Sequence, residues 1–141
     1  MRSSEKKAKQ PITYKVNATI TPIELANVFI ESGIRRPVDD FSRLQRMIDN
    51  GDLLITAWDN KKLVGVARAI TDFSYCCYLS DLAVHQHYQK QGIGKKLVHL
   101  VQEQISDEVT LLLLSSPVAI DYYPRIGFEK VDNGFRISRK Q

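Results

Sequence analysis

The sequence has little of what metal centres, disulfide scaffolds and membrane anchors are made from. It holds two cysteines and three histidines in 141 residues. The cysteines, Cys76 and Cys77, are adjacent, and neighbouring residues on a strand point to opposite faces, so the pair does not suit a mutual disulfide. No third cysteine offers either one a partner, and a reducing setting, the cytoplasm, is the simpler expectation. His85, His87 and His99 make no zinc-ligand spacing with the cysteines, so no metal is expected. No apolar run is long enough to span a bilayer. The N-terminal MRSSEKKAKQP is charged and lacks an apolar stretch, which is not the pattern of a secretory signal. Residues 1–11 read as a flexible tail. Charge of one sign is also scarce: 20 Lys and Arg against 16 Asp and Glu leave a net charge of +4. That balance suits a phosphate-bearing ligand, but the basic stripe with interleaved aromatics that nucleic-acid binding needs is missing. Neither membrane nor nucleic acid is an expected partner.

What is present fits one domain with one core over residues 12–141, with 43% apolar and 26% charged residues. Ile12 to Val16 alternates as a strand does. Thr21-Pro22-Ile23-Glu24 opens a helix, with Thr21 as cap, Pro22 in the first turn and Glu24 completing a capping box. Leu25, Val28 and Phe29 form its apolar face, and Gly33 ends it. After the loop through Arg35, Arg36 and Pro37, Asp39 or Asp40 caps a second helix with Phe41, Leu44 and Ile48 on one face. Leu53–Trp58, Leu63–Ile70 and Tyr75–Val84 then read as three strands. Val109–Leu114 is a continuous apolar run, as expected of a strand covered on both faces. A short helix follows Ser116-Pro117. Asp132-Asn133-Gly134 predicts a hairpin between Phe128–Val131 and Phe135–Ser138.

The most informative stretch is Leu79 to Leu97, LSDLAVHQHYQKQGIGKKL. It begins as a strand and ends as a helix, with Ile93, Leu97, Leu100, Val101 and Ile105 at helical spacing. Between them lies the turn Gln89-Lys90-Gln91-Gly92-Ile93-Gly94. Such a turn aims backbone N–H groups at one point, and the helix N-terminus adds partial positive charge there, so an anion such as a phosphate is favoured. Gly92 and Gly94 let it approach without a Cβ in the way. Lys90, Lys95 and Lys96 add charge at the mouth. Two nucleotide motifs fit poorly. The dinucleotide fingerprint wants a third glycine where Leu97 stands. A P-loop wants glycine at Gln89 and Ser or Thr at Lys96.

Gln89, Gly92 and Gly94 do match Q/R-x-x-G-x-G/A after an apolar strand. This resembles the acetyl-CoA-binding motif of the GCN5-related N-acetyltransferases (GNAT). A second segment, AIDYYPRIGF from Ala119 to Phe128, resembles the family's A-x-x-x-Y-x-x-x-G-F, with Ala119, Tyr123, Gly127 and Phe128 in register. The resemblance implies an α/β fold: a single-domain, mixed, mostly antiparallel sheet with helices on both faces. It also implies acetyl-CoA as acyl donor and cosubstrate, its pantetheine arm beside the backbone of Leu82, Ala83 and Val84. The diphosphate would sit on the turn from Gln89 through Lys90, Gln91, Gly92, Ile93 and Gly94, with Lys95 adjoining.

Tyr123 matches the family's tyrosine that protonates the leaving thiolate, and a phenol of pKa near 10 suits that task. Ser116 stands where the family often has Asn, and its shorter hydroxyl could still bond the cofactor arm. The general base stays open. Asp81, in the central strand, could take the ammonium proton directly or through water; Asp72 and Glu31 are weaker candidates, and water alone could suffice. His85 and His87 read as surface residues, Trp58 and Phe73 as core, and Arg35 and Arg36 either as a solvated pair or as binders of a carboxylate or phosphate. The expected reaction is direct attack by a primary amine in a ternary complex. The lack of an appended recognition module leans toward a small-molecule acceptor. A protein or peptide amine, and a non-catalytic acyl-CoA-binding module, are the alternatives. Apolar strand edges near the C-terminus fit a homodimer.

Overall fold

The computed structural model describes residues 11–141, so the tail expected at 1–11 lies outside the described residues but for Pro11. In chain order the elements are β1 (Thr13–Val16), α1 (Pro22–Ser32), α2 (Phe41–Asn50), β2 (Leu53–Asp59), β3 (Lys62–Thr71) and β4 (Cys76–Val84). A 3-10 turn (Gln86–Tyr88), α3 (Ile93–Gln104), β5 (Thr110–Leu112), a second 3-10 turn (Pro117–Ala119) and α4 (Tyr122–Arg125) follow. The strands form one sheet in the order β1-β2-β3-β4-β5. Pairing is antiparallel up to β4, while β4 and β5 run parallel. The mixed, mostly antiparallel sheet is as expected.

Local chemistry sets the helix ends. The Thr21 hydroxyl accepts from the Glu24 N–H at 3.1 Å, and the Glu24 carboxylate accepts from the Thr21 N–H at 3.0 Å, a complete capping box. Asp40, not Asp39, caps α2 by accepting from the Arg43 N–H.

Each sheet face has its own core. α1 and α2 cover one face, where Leu25, Phe29 and Leu44 pack with Leu54, Trp58 and Val66. α3 covers the other through Ile93, Leu97, Val98 and Val101 against Ile55, Val64, Ala67 and Leu79. Gly65 lets α3 lie this close. A Cβ there would stand 3.2 Å from Ala57 Cβ, Ile93 Cγ2 and Leu97 Cδ1.

Three expectations fail on this side of the chain. The apolar run Val109–Leu114 is not covered on both faces: β5 spans only Thr110–Leu112 and ends the described sheet, and its residues alternate between exposed and half-buried. The hairpin around Asp132-Asn133-Gly134 does not form, and from Glu129 onward every residue is exposed with no strand assigned. Turn propensity was legible there, but a hairpin needs a sheet to rest on. Phe73 is not core; it is exposed at a left-handed position in the β3–β4 loop, where the Asp72 carboxylate accepts the N–H groups of Ser74, Tyr75 and Cys76. Trp58 is core as expected, its Nε1–H donating to the Thr56 hydroxyl at 2.8 Å.

Leu97 is fully buried against the sheet. Leu97→Ala should lower unfolding stability by about 2–5 kcal/mol, the range for emptying a buried leucine site. Urea denaturation followed by circular dichroism measures it, and a loss below about 1 kcal/mol would contradict this packing.

Candidate active site

The site begins where β4 and β5 part. They pair only at Cys76–Thr110, Cys77–Leu111 and Tyr78–Leu112. Beyond Tyr78, β4 runs on to Val84 with β3 on one side and no strand on the other among the described residues. The backbone N–H and C=O groups on the open side, from Leu79 on, face a cleft of about 230 Å³. An extended ligand can pair with them as a strand would.

Leu82, Ala83, Val84, Gln89, Ser116 and Tyr123 all line this cleft, so the topology gathers candidates read from two distant segments. Val84 is less available than expected, because its carbonyl accepts from the Gln89 side-chain amide at 2.8 Å. That bond folds the start of the turn back onto the strand end. Gly92 then caps α3 at φ +84, and Lys90 is left-handed too, at φ +65. No atom lies within 4 Å of where a Gly92 Cβ would be, so the turn opens outward to solvent. Gln89, Lys90, Gln91, Gly92 and Lys95 are exposed, whereas Ile93 is buried and anchors the helix to the sheet. An open turn with a helix N-terminus and exposed lysines fits the diphosphate of a CoA thioester.

The two tyrosines of α4 take different places. Tyr123 stands edge-on to Phe128, ring centroids 5.5 Å apart, and edge-on to Tyr122 at 5.3 Å. Its hydroxyl makes no hydrogen bond with a described side chain or backbone group. Burial pushes its pKa up; Tyr122 adds to the rise and Arg36 opposes it. A raised pKa keeps the phenol protonated at neutral pH, as an acid requires. Tyr122, the neighbouring phenol on the same helix, faces α3 and does not line the cleft. Its hydroxyl stands 2.5 Å from where a Gly94 Cβ would be, directly over the first turn of α3. Side-chain direction on a one-turn helix decides this contact, and no spacing rule encodes it.

Asp81 does not look like a base. It is buried, and both oxygens are engaged: Arg36 Nε donates to Oδ1 at 2.5 Å and Arg68 Nε donates to Oδ2 at 2.5 Å. The network is built on a bulge in β4. Arg68 pairs with Asp81 and Ala69 with Leu79, which leaves Ser80 as the extra residue. The bulged Ser80 carbonyl accepts from Arg36 Nη2 at 2.7 Å, and its hydroxyl accepts from Arg68 Nη2 at 3.1 Å. Both carboxylate oxygens are thus occupied by guanidinium N–H groups, and Asp81 is not among the residues that line the cleft. Arg36 is accordingly not one of a solvated pair; it ties the α1–α2 loop to the cleft floor. Glu31 accepts from the Gln86 amide outside the cleft lining, and Asp72 is spent on its loop. His85 is buried rather than on the surface, and that burial pushes its pKa down. His87 is exposed as expected. A second hollow, about 370 Å³, lies between α1 and the β2–β3 turn, lined by Glu24, Glu31, Lys62 and His85. It contains neither Tyr123 nor the open edge of β4.

The model of the acetyltransferase (GNAT) domain family matches residues 25–137, most of the chain. The chain belongs to the GNAT family. As a GNAT-type N-acetyltransferase it shares 26% identity with an uncharacterized N-acetyltransferase, ycf52, of Pyropia yezoensis, over 95% of this chain and 87% of that protein. Among solved structures, a probable acetyltransferase of unknown function from Staphylococcus aureus superposes with a TM-score of 0.73 at 20% identity, covering 90% of this chain and all of that one. An aminoglycoside N-acetyltransferase, AAC(6')-Iy, in complex with CoA gives 0.71 at 12% identity, covering 96% and 99%. At such identities the solved structures establish the GNAT fold alone.

Asp81→Asn leaves the buried Arg68 guanidinium and the half-buried Arg36 guanidinium facing a neutral amide. Its melting curve should show a stability loss of about 3–5 kcal/mol, the range for breaking a buried pair. A variant of unchanged stability whose turnover is abolished would instead restore Asp81 as the base.

Proposed function

We propose that this N-acetyltransferase moves the acetyl group of acetyl-CoA to a primary amine, by direct attack within a ternary complex, and that the acceptor is a small molecule. The supporting observation is the shared cleft: β4 from Leu82 to Val84, which has no strand on its outer side among the described residues, Gln89 at the start of the glycine turn, and the Tyr123 phenol all line it.

In this reading the turn binds the diphosphate and the open edge of β4 aligns the pantetheine arm, with a β4 N–H polarising the thioester carbonyl. Ser116 lies exposed on the cleft wall, within the lining that would flank that arm. The amine nitrogen attacks the carbonyl carbon, the C–N bond forms and the C–S bond breaks. Tyr123 supplies the proton that the departing thiolate takes up. Water takes the proton of the acceptor ammonium before attack and the second N–H proton once the C–N bond has formed, since Asp81 is committed to its two arginines. The cleft lining mixes polar and apolar groups, and Arg36 is its one charged residue. A lone cation with no carboxylate beside it on the wall disfavours a polycation as acceptor. A protein or peptide amine remains the second reading, because an open cleft admits a chain end as well.

No helix among the described residues is long and apolar enough to cross a membrane. Cys76 and Cys77 are both free thiols, which supports a reducing compartment, the cytoplasm in our reading.

Thiol release from acetyl-CoA over a panel of amines and peptides, against a no-acceptor control, tests the proposal and identifies the acceptor class. Gly92→Asp should abolish acetyl-CoA binding in calorimetry, since it puts a carboxylate at the diphosphate and a Cβ at φ +84; retained binding would refute the turn as the diphosphate site. Tyr123→Phe should keep acetyl-CoA affinity and lower kcat by about 10²–10⁴-fold, the usual contribution of a general acid. Because burial raises the Tyr123 pKa, the wild-type kcat profile should keep its alkaline limb above the ordinary tyrosine value. A limb unchanged in Tyr123→Phe would assign the acid elsewhere.

A further inference from the structure

Tyr122 carries an unspent hydroxyl. The side chain is half-buried on α4, edge-on to Tyr123, and its Oη makes no hydrogen bond with a described side chain or backbone group. A phenol held partly out of water normally finds a partner. The ring reaches across to another element: its hydroxyl lies 2.5 Å from where a Gly94 Cβ would stand, and Val84 Cγ2 lies 3.9 Å from the same point. The end of β4, the first turn of α3 and the tip of Tyr122 therefore meet in one place.

That place is rich in donors. Gly92 caps α3 with no side-chain hydrogen bond. Lys96 is the first residue of the helix whose N–H finds a carbonyl, that of Gly92 at 3.0 Å. The N–H groups of Ile93, Gly94 and Lys95 have no acceptor among the described residues, as the start of a helix dictates. Burial raises the Tyr122 pKa, so its hydroxyl keeps its proton at neutral pH and joins them as a fourth donor. The second glycine of the turn gains a reason as well. A Cβ at position 94 would force the hydroxyl away, whereas the ring carbon behind it, Cζ, is 3.5 Å off, an ordinary contact. Alanine would satisfy the Q/R-x-x-G-x-G/A pattern, so it is Tyr122 that makes glycine the residue needed here.

We propose that Tyr122 is a binding residue for the acyl donor: its hydroxyl donates to a diphosphate oxygen seated on the N–H groups of the α3 turn, and Gly94 is glycine to admit that hydroxyl. The two tyrosines of α4 then serve opposite ends of the donor, Tyr122 at the diphosphate and Tyr123 at the thioester sulfur. The inference rests on the acetyl-CoA reading of the turn given above and adds a residue to it.

Calorimetry with acetyl-CoA on the full chain tests it. Tyr122→Phe removes the oxygen and leaves the ring, and affinity should fall about 10-fold, the low end for a hydrogen bond to a charged group. Gly94→Ala displaces the same oxygen and should cost the same factor. The double variant should lose no more than either single one, because one hydroxyl is at stake in all three. S-acetylpantetheine, which ends before the diphosphate, should bind the parent and Tyr122→Phe equally in an NMR titration. Unchanged acetyl-CoA affinity in Tyr122→Phe would overturn the inference. So would additive losses in the double variant, or an equal loss for S-acetylpantetheine, which would reduce the hydroxyl to packing. Gly92→Asp keeps the two levels apart. If it abolishes binding while Tyr122→Phe does not weaken it, the turn holds the diphosphate without Tyr122; if it leaves binding intact, the reading of the turn itself falls.

Discussion

Asp81 is a buried carboxylate held between Arg36 and Arg68, and the site is arranged around that contact. A charge this deep is tolerable only with both oxygens satisfied. Arg68 reaches it from the neighbouring strand, and Arg36 reaches it from the loop after α1. The bulge at Ser80 turns a carbonyl and a hydroxyl toward the same two guanidinium groups. The result fastens the α1–α2 loop to the sheet at the level where β4 leaves β5. Without that fastening, the cleft would have a strand for one wall and an untethered loop for another.

The parting of the two parallel strands is the second constraint. A paired strand has no spare hydrogen-bonding groups, while β4 beyond Tyr78 has an open edge. Most of the work assigned to this site falls to backbone: N–H groups of the strand, N–H groups of the turn and the dipole of α3. Side chains refine it. Gln89 folds the turn against the strand end, Tyr122 stands over the first turn of α3, and Tyr123 is held by Phe128 with its hydroxyl free. The charged cluster beneath the cleft has two positive groups and one negative. Of these groups Arg36 opposes the burial that raises the Tyr123 pKa.

Much of this was legible in the residues. The capping box at Thr21–Glu24, the apolar spacing of α3 and the glycine turn each depend on contacts within a few positions, and each appears where the spacing puts it. Tyr123 was legible through its match to a family segment. The partners of Asp81 were not legible, because a carboxylate in a central strand reads the same whether it faces a substrate or two arginines 45 and 13 positions away. The approach of Tyr122 to Gly94 was not legible for a related reason, since Gly94 lies in another element. The run Val109–Leu114 read as doubly covered, yet apolar composition does not say whether a strand ends a sheet.

The sequence by itself determined the helices and their caps, the strand-turn-helix that can hold an anion, and the family to which the chain belongs. These are local properties, fixed by side-chain periodicity, backbone conformation and short-range hydrogen bonding. Tertiary structure alone decided that β4 and β5 separate, that Asp81 is spent on two arginines, that Tyr122 covers the α3 turn and that the C-terminal segment leaves the body of the fold. Those outcomes depend on which distant groups compete for the same carboxylate, edge or apolar surface, and that competition is settled only when the chain has closed on itself.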